Sequence, residues 1–276
     1  MSVDSGSGST LTLLAGNNLT VSGSTLTTAD GQHTITATEL ITGCAFDGWY
    51  YNDTKQGTTI GVVQSMTITA KPAAPSAYKI AKSGTTYSYS ANYSENWITV
   101  QQAEVEGALG TSVPVYGESG GYVFYAWDTQ GTYEGKENVK YLEAATADLS
   151  GTYMWSSNTT YGSYGTETGI GTGKSNTDKI KSISTAAQAC DDYSVTVDNV
   201  TYDDWFLSSK EELWPMYWNL YQKLYQMLHS TFGYNLWSSS EDSENTKYAW
   251  YLTFGMGTYS SHLRNGLCYV RPVRAF

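Results

Sequence analysis

One short segment divides the chain. Lys71-Pro72-Ala73-Ala74-Pro75-Ser76-Ala77 sets two prolines among small residues, which makes a stiff, extended connector. Ahead of it, Leu19-Thr20-Val21, His33-Thr34-Ile35-Thr36-Ala37 and Met66-Thr67-Ile68-Thr69-Ala70 alternate apolar and polar residues, the pattern of half-buried strands. Gly16-Asn17-Asn18 and Ala29-Asp30-Gly31 supply turns between them. Residues 1–71 therefore read as a small all-β module. Residues 72–110 hold the connector and further strands, notably Tyr87-Ser88-Tyr89-Ser90 and Trp97-Ile98-Thr99-Val100. Their membership, in a separate module or in the next domain, stays open at this level.

From residue 111 to residue 276 the periodicity is mixed. Gly120-Gly121-Tyr122-Val123-Phe124-Tyr125-Ala126-Trp127 reads as a strand opened by glycines. Between Asn176 and Cys190, Ile180, Ile183, Ala186, Ala187 and Ala189 stand near helical spacing, with Ser175 or Asn176 as cap. A second helix is expected at Ser208-Ser209-Lys210-Glu211, where Ser208 and Glu211 can form a capping box. Leu213, Met216, Tyr217, Leu220, Tyr221, Leu224 and Leu228 continue its apolar stripe. Pro215 then lies too deep for a first-turn proline, which predicts a kink. Short strands follow, Tyr248-Ala249-Trp250-Tyr251-Leu252-Thr253-Phe254 the plainest. Two helices among many short strands predict an α+β fold.

The composition bears on partners. Twenty-four Tyr and 9 Trp outnumber 6 Phe, so much of the apolar mass carries a polar tip suited to contact surfaces. With 15 Lys+Arg against 26 Asp+Glu, net charge −11, the chain gains nothing from counterion release on nucleic acid. It would also be repelled by an anionic membrane, and no apolar run approaches the roughly 20 residues of a membrane span. The opening Met1-Ser2-Val3-Asp4-Ser5-Gly6-Ser7-Gly8-Ser9 lacks the basic and apolar regions of a secretory signal. That reads as a cytoplasmic protein, a virion-borne one, or a mature or trimmed chain. Cys44, Cys190 and Cys268 are odd in number and widely spaced, which fits buried thiols and neither a disulfide framework nor a zinc site.

Several phrases, in order, carry a family resemblance across roughly residues 115–276. They are Gly120-Gly121-Tyr122-Val123-Phe124-Tyr125, Tyr141-Leu142-Glu143-Ala144-Ala145, and Gly169-Ile170-Gly171-Thr172-Gly173-Lys174-Ser175-Asn176-Thr177. Next come Ala189-Cys190-Asp191-Asp192-Tyr193 and Asp203-Asp204-Trp205-Phe206-Leu207-Ser208-Ser209-Lys210-Glu211-Glu212-Leu213. Leu236-Trp237-Ser238-Ser239-Ser240-Glu241 and Tyr269-Val270-Arg271-Pro272-Val273-Arg274-Ala275-Phe276 complete the set. The half resembles bacterial and phage proteins with a C-type-lectin-like fold, including the C-terminal domain of collagen-like adhesins. It departs from them where they have proline and this chain has Ser208, and in carrying Pro215.

The ending is similar to the variable proteins of diversity-generating retroelements, whose C-terminal stretch is rewritten by adenine-directed mutagenesis on a fixed scaffold. Residues of the kind such rewriting produces run from Tyr234 through Asn235, Asp242, Thr246, Tyr251, Thr253, Tyr259, Ser261, His262, Arg264, Asn265 and Leu267 to Cys268. The resemblance implies a ligand-binding adhesion protein, not an enzyme, displayed outside the cell on a phage virion or bacterial surface. Its implied partner is a cell-surface protein or glycan, without nucleic acid or membrane insertion. A trimer is an oligomer expected of a phage-tail location. Ahead of the connector, Phe46-Asp47-Gly48-Trp49-Tyr50 and the later Ser65–Ala70 strand resemble internalin-type B repeats, which implies a stalk or spacer.

Gly169–Ser175 invites comparison with a phosphate-binding loop, but the required first glycine is Thr168 and no buried strand precedes it. A turn into the following helix is the better reading. His33, His229 and His262 lack metal-ligand spacing, and His229 reads as a helix end. Asp191-Asp192 and Asp203-Asp204 read as capping and turn residues in preference to calcium ligands, so no cofactor or metal is expected. No Gly-x-Ser-x-Gly elbow is present. An enzyme of the sulfatase-activating type on the same fold is the alternative, together with a non-binding virion or surface decoration. Trp205, Phe206, Trp237, Trp250 and Phe276 are expected in the core, with Arg271 and Arg274 locking the fold through carboxylates. Tyr251, Tyr259, His262, Arg264 and Asn265 are the preferred contacts.

Overall fold

The computed structural model describes residues 74–276, apart from 94, 95, 134, 135, 159 and 161, and the backbone of the strands within residues 10–72. The turns expected at 16–18 and 29–31, and Cys44, lie outside the described residues. The chain divides into two compact units, residues 1–77 with 91–99, and residues 78–90 with 100–276.

The first unit contains β1 (Thr10–Leu14), β2 (Leu19–Ser22), β3 (Thr25–Thr28), β4 (His33–Thr36), β5 (Phe46–Tyr51), β6 (Thr54–Lys55), β7 (Thr59–Gly61) and β8 (Met66–Pro72). They form a three-stranded sheet ordered β4-β1-β7 and a five-stranded sheet ordered β2-β3-β8-β5-β6. The Phe-Asp-Gly-Trp-Tyr strand β5 lies antiparallel to β8, Trp49 opposite Ala70 and Tyr50 opposite Thr69.

The second unit is built on a mostly antiparallel sheet. Its strands are β9 (Ala77–Ser83), β10 (Thr86–Tyr93), then, after β11 (Asn96–Thr99), β12 (Val115–Tyr116), β13 (Tyr122–Tyr133) and β14 (Lys136–Ala144). β15 (Tyr153–Met154), β16 (Val195–Val197), β17 (Val200–Tyr202) and β18 (Phe206–Leu207) follow. Last come β19 (Asn235–Glu241), β20 (Tyr248–Thr253), β21 (Thr258–Leu263), β22 (Leu267–Cys268) and β23 (Pro272–Ala275). In the main sheet β10, β9, β12, β13, β14, β23 and β18 lie side by side in that order. The last strand is therefore interior: Ala275 faces Leu142 and Val273 faces Phe206. A second sheet, β19-β20-β21, carries Asn235, Tyr251, Thr253, Tyr259, Ser261 and His262, and β21 is its edge. Helices beside mostly antiparallel sheets make the chain α+β, as the pattern predicted.

One helix, α1 (Gln102–Ala108), was not expected, and the other helical segments differ in detail from the periodicity. Residues 176–190 do not form one helix. α2 (Gly173–Ile180) and α3 (Thr185–Asp191) are separated at Ser184, which caps α3 by accepting the Ala187 N–H at 3.0 Å. A serine at this point favours a new N-cap over helix interior. The capping box also forms one residue later than predicted. Ser209 N donates to Glu212 Oε2 at 2.7 Å and Glu212 N donates to Ser209 Oγ at 3.3 Å. The helix, α4 (Leu213–Met216), consequently begins after the box, and Pro215 occupies its first turn, where no intrahelical N–H bond is required. It continues as a π-helical stretch, Tyr217–Gln222, then α5 (Tyr225–Leu228) and a 3₁₀ turn at His229–Thr231. His229 ends the helix as expected, its Nδ1 2.8 Å from the Tyr225 carbonyl oxygen.

Two apolar clusters support the unit. Phe124, Leu142, Phe206, Met216, Leu220, Leu236, Leu252 and Phe254 are buried in one; Trp155, Ile180, Ala187, Cys190, Trp237 and Ala249 are buried in the other. Arg271 and Arg274 lock the C-terminal strand as the sequence implied. Arg271 Nε donates to Asp148 Oδ1 at 2.7 Å. Arg274 pairs with Glu118 and Glu143, each at 2.8 Å, and with Asp204.

Candidate functional site

Strand register assigns the candidate residues on the β19-β20-β21 sheet to its two faces. Trp237 stands opposite Tyr251, and Ala249 opposite His262. The other face carries Leu252 opposite Tyr259 and Trp250 opposite Ser261. Each face is buried toward β19, where Leu236 and Trp237 enter the two clusters, and opens toward β21. The accessible surface is thus the edge strand and the turn after it.

Placement varies among the residues named from sequence. His262 and Asn265 are exposed, as are Leu267 and Tyr234, at 63% and 57%. Tyr251, Ser261, Asn235 and Thr246 are half-buried. Tyr251 meets the Trp237 ring edge-on, and Thr246 Oγ1 accepts the Gly162 N–H at 3.2 Å. Asp242 and Thr253 are buried: Asp242 Oδ1 accepts the Glu244 N–H, and Thr253 Oγ1 donates to Asn235 Oδ1. These two serve turn and strand, not the surface. Cys268 is buried as well.

Arg264 is a correction. Expected among the contacts, it is fully buried, its guanidinium NH2 2.6 Å from Glu241 Oε2. Its guanidinium lies 4.8 Å from the ring centres of both Trp155 and Tyr164. Glu241 also accepts main-chain N–H bonds from Tyr164 and Gly165, each at 3.0 Å, and the Ser163 hydroxyl. One buried ion pair therefore ties residues 162–165 beneath the turn that holds His262, Leu263 and Asn265. Gly266 completes that turn. A Cβ there would stand 2.4 Å from His262 Nδ1, so only glycine lets the imidazole lie over the turn.

Tyr259 belongs to a cluster that sequence reasoning missed. Its hydroxyl donates to the Lys210 carbonyl at 2.9 Å, and burial pushes its pKa well above the ordinary tyrosine value. Lys210 Nζ sits 3.5 Å from the centre of the Trp250 ring and 5.3 Å from that of Tyr259. Trp214, 44% exposed, lies 6.0 Å from Tyr259. Trp250 was expected in the core, yet it is half-buried under this cation. No periodic signal marks such a cluster, because its members come from the capping box, the helix and two strands.

The remaining chemistry is internal. The Gly169–Ser175 segment turns inward. Gly171 N donates to Glu212 Oε1 at 2.9 Å, and Tyr133 Oη donates to the same oxygen at 3.2 Å. Glu212 is wholly buried, which pushes its carboxyl upward. The glycine-rich loop thus wraps an anion that the protein itself supplies. Asp191 pairs with Lys181 at 3.0 Å and Asp204 with Lys136. His262 and His229 each place Nδ1 at a main-chain carbonyl. Burial pushes the Cys190 thiol up and that of Cys268 up to about 12, opposite to what a nucleophile needs. Among the described residues no group of three or more His, Cys, Asp or Glu is placed to hold a metal ion. No helix among them is long and apolar enough to cross a membrane. No protein-family model matches the chain, and no curated protein matches it significantly.

Proposed function

We propose that this chain is a ligand-binding adhesion protein, not an enzyme, whose C-type-lectin-like unit presents β21 and the following turn to a cell-surface protein or glycan. One observation carries the reading. His262, Leu263, Asn265 and Leu267 are exposed, while Arg264 among them is buried and pinned by Glu241. Changeable side chains stand on a base that cannot shift with them. A pre-organised surface of this kind loses little entropy on binding, and a few aromatic or polar anchors supply most of its affinity. The likeness of these positions to adenine-directed substitution extends the reading to a retroelement-diversified protein displayed on a phage virion or bacterial surface, with a B-repeat-like stalk. A trimer would raise weak single-site binding through avidity.

The buried, high-pKa thiols of Cys190 and Cys268 speak against a sulfatase-activating chemistry, which depends on reactive cysteine. The test is binding of labelled protein to a glycan array and to candidate host cells. The variant His262→Ala/Asn265→Ala/Leu267→Ala is expected to lose binding with its melting temperature unchanged. Undiminished binding by the folded variant overturns the assignment. A reverse transcriptase gene with an adenine-rich near-copy of this stretch is expected nearby, and an intact locus without them overturns the diversification.

A further inference from the structure

We infer that the second unit holds a separate small-molecule cleft, between the β13–β14 arm and the loop before α2, that takes a neutral saccharide. The cleft measures about 530 Å³ and shares no lining residue with β19, β20 or β21. That size falls within the roughly 300–1,000 Å³ of small-ligand sites.

Its outer wall is an irregularity in β13. Ala126 pairs with Tyr141 and Gly131 with Val139, so five steps along β13 (126 to 131) span two along β14 (141 to 139). The surplus residues swing out and carry Trp127, Asp128 and Thr129 onto the cleft. Bulges of this kind re-aim side chains and recur beside binding sites. The bulge is held at both ends: Lys140 Nζ donates to the Asp128 carbonyl at 3.3 Å, and Gln130 Nε2 donates to the Thr85 carbonyl at 3.3 Å. Beside it, Asn138 adopts a left-handed φ of 57° with its carbonyl accepting from Tyr87 Oη at 2.8 Å. Local backbone strain of this type is retained where the surroundings over-determine it, and it clusters at ligand clamps.

The floor is aromatic and rigid. The half-buried Trp127 lies 5.4 Å from the Tyr133 ring, which stacks on Phe206 and is anchored through its hydroxyl to Glu212. Gly171, at φ 101°, keeps the opposite wall low, since a Cβ there would already touch Tyr133 at 3.4 Å. The lining also holds Thr129, Thr132, Thr172 and Asp128, the last the only charged residue among the described lining residues. A half-buried indole offers a flat face to the C–H groups of a sugar ring, and hydroxyls with one carboxylate match its rim of O–H groups. The Thr172 hydroxyl already donates to the Gly169 carbonyl at 2.8 Å, and those of Thr129 and Thr132 would be idle against a quaternary ammonium ion. The lining has no cation for an acidic sugar, because the nearby Lys136 is spent on Asp204 and the Ala275 carbonyl.

The experiment titrates the full chain with methyl glucoside, methyl galactoside, N-acetylglucosamine and cellotriose, read by saturation-transfer NMR and indole fluorescence. Saturable binding of at least one is expected. Trp127→Ala should weaken it by about tenfold or more, equal to about 1.4 kcal/mol. Gly131→Leu supplies a variant that folds, since a Cβ at Gly131 meets nothing within 4 Å, and its side chain should fill the cleft and abolish binding. The His262→Ala/Asn265→Ala/Leu267→Ala variant should bind these sugars as the parent does, which separates this cleft from the adhesion surface. Three results overturn the inference: no probe binds, binding persists in both Trp127→Ala and Gly131→Leu, or tetramethylammonium binds where the sugars do not.

Discussion

Arg264 and Glu241 meet at 2.6 Å with 0% and 3% of their side chains exposed, although Leu263 and Asn265 on either side of Arg264 are exposed. The pair is the join between the strand sheet and residues 162–165. Arg264→Ala leaves the Glu241 carboxylate buried without its counter-charge, a change that costs about 3–5 kcal/mol. A large fall in melting temperature is expected. Arg264→Ala with an unchanged melt would place Arg264 at the surface instead.

The exposed neighbours should behave in the opposite way. His262→Ala, Asn265→Ala and Leu267→Ala each remove an exposed side chain, and only His262 has a ring contact with the core, edge-on to Trp237 at 6.3 Å, so each is expected to change stability by about 0.5 kcal/mol or less, His262→Ala the most. Chemical denaturation of the three variants checks this.

The displaced capping box gives a sharp comparison between adjacent serines. Ser209 Oγ accepts the Glu212 N–H and donates to the Gly169 carbonyl, so Ser209→Ala should cost about 1 kcal/mol or more. Ser208 Oγ is buried without a hydrogen-bond partner, and Ser208→Ala should be neutral or slightly stabilising. Equal losses at both positions would refute the assignment.

Acid stability should depend on Asp204. Burial opposes its ionisation, but Arg274 and Lys136 outweigh burial and hold the carboxyl below its ordinary value of 3.8. A depressed carboxylate contributes stability that is complete above the unfolded pKa and is lost as pH falls through the folded one. Thermal melts of the parent should therefore drop below about pH 4 more steeply than those of Asp204→Asn.

Thiol labelling tests the internal position of the cysteines. In a Cys44→Ser background, a water-soluble aromatic disulfide reagent should leave Cys190 and Cys268 unmodified in the native protein. Both should react once denaturant is added, because burial holds the thiols protonated and covered.

Local pattern carried much of the architecture. Alternation in Tyr248–Phe254 became β20, the terminal Arg271-Pro272-Val273-Arg274 phrase became an interior strand locked by carboxylates, and the helix end at His229 formed where expected. These features depend on neighbours in sequence, or on charges that must find a partner when buried. Contacts made across the fold were beyond its reach. Arg264 has the polarity of a surface anchor, and only Glu241, Trp155 and Tyr164 closing around it turned it into core. Trp250 has the character of core, and Lys210 from the capping box holds it at the surface.

The sequence by itself determined that the chain is α+β and acidic, because period and composition are local properties. Which of the C-terminal polar residues face solvent, and which of two adjacent serines and two adjacent glutamates form the capping box, was decided by tertiary structure. A one-residue shift in a cap or a strand exchanges inside for outside, and only packing selects between the two.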